Sequence, residues 1–62
     1  MTPKQEAFVR EYLIDLNATQ AAIRAGYSEA TAYSIGNENL SKPEIAEAIT
    51  IAKAERAEKC DI

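Results

Sequence analysis

Helix-start and helix-stop signals cut this chain into four short segments, and that punctuation confines it to a small all-helical fold. Thr2-Pro3-Lys4-Gln5 opens the first segment. Threonine can cap, proline suits the first helical position, and Gln5 sits where a capping box needs its return partner. Phe8, Val9, Tyr12, Leu13 and Leu16 then recur at helical spacing and predict one apolar face on a helix over about residues 3–15. Asn17, a favoured N-cap, opens a short second helix over about 18–25, and Gln20 repeats the capping-box spacing. Gly26 is the residue able to take the left-handed conformation that ends it. Gly26-Tyr27-Ser28 forms a three-residue turn, and Ser28 caps a third helix that reaches about Leu40, with Ala32, Ile35, Gly36 and Leu40 inward. Ser41-Lys42-Pro43-Glu44 starts the fourth helix, expected from 43 to about 57.

A chain of 62 residues makes one domain and buries a modest fraction of its surface. Apolar residues are 47% of it, but much of that is alanine, which favours helix and buries little area per residue. The core must therefore rest on Phe8, Val9, Tyr12, Leu13, Leu16, Ile23, Tyr27, Ile35, Leu40, Ile45 and Ile49. Gly36, inside a helix, costs roughly 1 kcal/mol relative to alanine, so a close approach is expected there to offset it. Residues 54–59 carry no large apolar side chain, so the end of the fourth helix is expected to fray or to be completed by residues outside this sequence.

The chemistry of enzymes is missing from this sequence. There is no histidine to act as a general base, and the only glycines, Gly26 and Gly36, make no phosphate loop. The single cysteine, Cys60, can close no intrachain disulfide and has no histidine partner as a nucleophile. The acidic residues are scattered, so neither a metal nor a cofactor is expected. No apolar run approaches the ~20 residues of a membrane span, and no basic-then-apolar leader is present, so a soluble protein of a reducing cytoplasm is the expectation.

The feature that carries function is the short helix, tight glycine turn and longer helix over residues 18–37. Two helices joined by such a turn make a helix-turn-helix. If the second helix is to lie in the major groove of DNA, the pair must cross closely. Ala22, four residues before Gly26, supplies the small side chain for that crossing. Spacing alone fits an ordinary helical hairpin equally well. The outward set of the third helix, Thr31, Tyr33, Ser34 and Asn37, is short, polar and uncharged, whereas solvated helix faces favour lysine, glutamate and arginine. Asparagine pairs bidentately with adenine, and serine or threonine contacts bases or phosphates. Lys4, Arg24 and Lys42 flank this helix as candidate phosphate contacts. The net charge of −3 opposes that reading, because a basic face is the usual footprint of nucleic-acid binding.

Residues 2–12, TPKQEAFVREY, and 17–28, NATQAAIRAGYS, followed by TAYSIG at 31–36 and LSKPEI at 40–45, resemble the N-terminal domain of bacteriophage terminase small subunits. The likeness covers about residues 2–50. It implies a DNA-binding helix-turn-helix domain over 1–57, with 58–62 a frayed tail leading to an oligomerisation region. It implies recognition of double-stranded viral DNA for genome packaging in the cytoplasm of an infected bacterium. The implied partners are a large subunit carrying the ATPase and nuclease, and further copies in a homo-oligomeric ring, with this stretch alone a monomer. Two other readings fit the same residues: a helix-turn-helix transcription regulator and a helical protein-docking module.

Overall fold

The computed structural model describes the backbone of residues 1–60 and the side chains of residues 1–55. It is all-α, with α1 at Pro3–Asp15, α2 at Ala18–Arg24, α3 at Glu29–Ser41 and α4 at Pro43–Cys60. The first three helices begin and end within a residue of the sequence expectation, and α4 runs three residues past its expected end at 57. The backbone is helical over residues 54–60, where fraying was expected, and residues 61–62 of the expected tail lie outside the described ones.

Each boundary has a chemical cause. At α1 the capping box is complete: the Gln5 N–H donates to Thr2 Oγ1 at 3.2 Å, and the Thr2 N–H donates to Gln5 Oε1 at 2.9 Å. At α2 it is half formed. The Gln20 N–H donates to Asn17 Oδ1 at 3.1 Å, but the Asn17 N–H goes to Asp15 Oδ1 at 3.2 Å, so Gln20 does not complete the box. Ser28 Oγ accepts from the Ala30 N–H at 3.3 Å and caps α3. Lys42, extended at φ −77° and ψ 127°, separates α3 from α4, as the residue before a proline must.

Phe8 and Ile45 are fully buried, and Val9, Ala21, Ala22, Ala32 and Ile49 complete the core. Tyr12, Leu13, Ile23, Tyr27 and Leu40 pack against it half-buried, with Phe8 and Tyr12 stacked 5.9 Å apart. α1 packs on α2 and α4, and α3 packs on α2 and α4.

Two expected core residues depart from the plan. Leu16 is 55% exposed, because it ends α1 in the left-handed region at φ 57° and turns away from the apolar face. Ile35 is half-buried and stands outside the core cluster, because Ala32, Gly36 and Asn39 take the innermost positions of α3. Asn39 was not expected inside. Only 3% of it is exposed, and its amide nitrogen has no hydrogen-bond partner among the described residues.

Candidate nucleic-acid interface

The turn between α2 and α3 is a Schellman motif. The Tyr27 N–H donates to the Ala22 carbonyl at 3.0 Å and the Gly26 N–H to the Ile23 carbonyl at 3.1 Å. Gly26 has φ +108°, where a side chain is strained, as the sequence required of the residue that ends α2. The turn thus satisfies the Ala22 and Ile23 carbonyls near the end of α2, while the Ser28 hydroxyl and carbonyl accept from the first turn of α3.

Small residues set the spacing of the two helices. Ala21 and Ala22 are fully buried on α2, and Ala32 and Gly36 are buried on α3. A close backbone approach lies one turn earlier on α2 than Ala22. A Cβ placed on Gly36 would lie 2.8 Å from the Ala18 carbonyl oxygen, 3.0 Å from its carbon and 3.2 Å from Ala18 Cβ. Backbone meets backbone there, which accounts for a glycine in the middle of α3.

With that side locked onto α2, α3 turns Thr31, Tyr33, Ser34 and Asn37 to solvent, and Tyr33 is 70% exposed. Sequence reasoning missed Ala30 and Ser41, which are exposed and continue the Ser34–Asn37 row at helical spacing. The 3.6-residue period was the signal for them. The Thr31 hydroxyl donates to the Ser28 carbonyl at 3.3 Å, and the Ser41 hydroxyl to the Glu38 carbonyl at 2.9 Å.

Every basic residue expected beside this helix has an intramolecular neighbour. Lys4 Nζ lies 5.3 Å from the centroid of the Tyr27 ring, which places the ammonium at the turn. Lys42 Nζ is 3.7 Å from Glu38 Oε1. Arg24 is committed to α1: Nε donates to Glu11 Oε1 at 2.8 Å, and Nη2 to the Glu11 carbonyl at 2.9 Å and Asp15 Oδ1 at 3.2 Å. These bonds raise the Arg24 pKa and, with the Asn17 N–H, hold the Asp15 carboxyl below its ordinary value of 3.8. A shallow cleft of mixed polarity lies elsewhere, lined by Leu13, Ile14, Asp15, Leu16 and Lys53, with Ile14 68% exposed. No described helix is long and apolar enough to cross a membrane.

A capped short helix, a glycine turn and a second helix with a short polar outer face give this small all-α domain the element order of a helix-turn-helix. The comparison with known proteins makes the class specific. A family model described as terminase small subunit matches residues 1–62, and the chain belongs to that family. It is 61% identical over 46 residues to the terminase small subunit of Bacillus phage SF6, covering 73% of this chain and 32% of that protein. With the terminase small subunit of Bacillus phage SPP1 the identity is 56% over 45 residues, covering 71% of this chain and 31% of that protein. The chain thus spans about a third of the length of these relatives.

Proposed function

We propose that this chain is a duplex-DNA-reading domain that selects viral DNA for packaging in the cytoplasm of an infected bacterium. In this reading it is not an enzyme. It serves a large subunit that carries the ATPase and nuclease, and it acts as one of several copies in a ring. The observation that carries the DNA reading is the division of labour on α3. Its inner side buries Ala32 and Gly36, with Gly36 against Ala18 of α2, and its outer side offers the short polar side chains of Thr31, Ser34 and Asn37, with Glu38 as the one carboxylate exposed beside them. Such a helix can sit deep in the major groove. The Asn37 amide suits adenine N6 and N7, the Ala30 methyl suits a thymine methyl, and Ser34 and Thr31 suit bases or phosphates. Tyr33, Lys4 and Lys42 stand at the edges for phosphate contact. Arg24 would have to give up its bonds to α1 to reach a phosphate, so its main task is to hold the frame.

The net charge of −3 predicts that one copy binds weakly, in the range of about 10⁻⁴–10⁻⁶ M. Several linked copies on one DNA segment would add about 10²–10⁴ in avidity. The test is fluorescence anisotropy of labelled phage DNA with the 62-residue chain, Ser34→Ala and Asn37→Ala. Wild type should bind weakly and lose affinity with salt, and both variants should bind less at unchanged melting temperature. No binding by wild type at low salt would remove the DNA reading. It would favour the protein-docking alternative, for which the cleft beside the exposed Ile14 is a candidate surface.

A further inference from the structure

The three cations around α3 are held in different ways. Arg24 is bound by two carboxylates and a carbonyl. Lys4 lies against a neutral ring and is in no ion pair among the described residues. Lys42 is paired with Glu38, one turn back on α3, at 3.7 Å. The Glu38 side chain is 68% exposed and follows Asn37 directly, on the outer half of the helix. A carboxylate therefore stands on the same surface as the base-reading side chains, beside a lysine at its edge.

Resting on the DNA reading above, we infer that Glu38 is a specificity-determining residue that competes with DNA phosphate for the Lys42 ammonium. Affinity for duplex of any sequence comes from cations that displace counterions from phosphate. A Lys–Glu pair is net neutral. When Lys42 turns to a phosphate, Glu38 is left beside the backbone and recruits a cation, which cancels the one released. The contacts available to Asn37 and Ser34 involve no charge and do not suffer this cancellation. Glu38 thus subtracts from indiscriminate binding and leaves sequence-dependent contacts intact. The pair is long and solvated, hence weak enough to exchange.

The test measures anisotropy of a labelled mixed-sequence duplex with wild type, Glu38→Gln and Glu47→Gln across a salt series. Glu47 is exposed on α4, so its variant removes the same charge away from Lys42. Glu38→Gln should steepen the salt slope by about 0.9, so that between 50 and 200 mM salt its affinity falls about 3.5-fold further than that of wild type. Glu47→Gln should leave the slope unchanged. Glu38→Ala, with a better helix former, should repeat the result if glutamine disturbs the fold. Equal slopes for wild type and Glu38→Gln, or equal steepening by both glutamine variants, would overturn the inference while leaving the DNA reading in place. Failure of every protein to bind at low salt would instead overturn the DNA reading, and this inference with it.

Discussion

Gly36→Ala sets two opposing effects against each other, and the structure decides between them. Alanine gains about 1 kcal/mol over glycine in a helix interior. The added Cβ would stand 2.8 Å from the Ala18 carbonyl oxygen and 3.0 Å from its carbon. Neither atom belongs to a flexible side chain, so α2 and α3 must separate. Overpacking of this kind costs about 1–3 kcal/mol, and rigid backbone on the receiving side puts Gly36 in the upper half of that range. The net loss is then about 1–2 kcal/mol, a large share of the roughly 3–9 kcal/mol expected for a domain of this size. Thermal denaturation followed by circular dichroism should show a melting temperature lower by about 5–15 °C. Adding Ala18→Gly removes the contact at 3.2 Å but leaves the carbonyl in place, so rescue should be small. A Gly36→Ala protein as stable as wild type would refute the close approach of α2 and α3.

Three further outcomes follow from the caps and the ion pairs. Gly26→Val should cost about 1–3 kcal/mol by thermal melting, through backbone strain alone. A Cβ there meets only Lys4 Cε at an ordinary 3.7 Å, so crowding adds nothing. Leu16→Gly should stabilise by up to about 1 kcal/mol in urea titration, since a leucine at φ 57° is strained and half exposed, and a clear loss would show that Leu16 packs as core. Arg24 holds the Asp15 carboxyl below its ordinary 3.8, so ionised Asp15 supports the fold above that value and its support is lost as pH falls through the lower, folded-state value. Melting of Asp15→Asn should accordingly vary less with pH than that of wild type over about pH 5 to 3, and parallel curves would contradict the ion pair.

The helices were legible because their ends are marked by local chemistry. Thr2, Pro3, Asn17, Gly26, Ser28 and Pro43 act within a turn of themselves, and no tertiary contact is needed to read them. The outward face of α3 was legible for the same reason, since Thr31, Tyr33, Ser34 and Asn37 follow from a helical period once Ser28 fixes the start. What failed depends on partners distant in sequence. Leu16 continues the apolar period of α1 but falls on its terminating residue, where φ changes sign and the period no longer applies. Asn39 is polar and reads as surface, yet lies seven residues from Ala32 on the buried side. Arg24 reads as a phosphate ligand until α1 and α2 are placed together, when Glu11 and Asp15 prove to be thirteen and nine residues away in sequence and within 3.3 Å in space. The need for a close approach at Gly36 could be read from its position in a helix, but its contact with Ala18, rather than Ala22, could not.

The close approach of α2 and α3, Ala18 against Gly36, is accompanied by the buried Ala21, Ala22 and Ala32, and none of these residues possesses side-chain rotamers. Most buried interfaces freeze side-chain freedom when they form and can repack when pushed. This one has nothing to freeze and nothing to repack, so the offset of α3 from α2 is written into the backbone. A partner that docks on α3 meets a pair already in its final arrangement and spends no side-chain entropy ordering the support behind it. The same property makes the seam unforgiving: a methyl group too many cannot be absorbed by a change of rotamer, and the displacement passes undiminished to the outer face of α3.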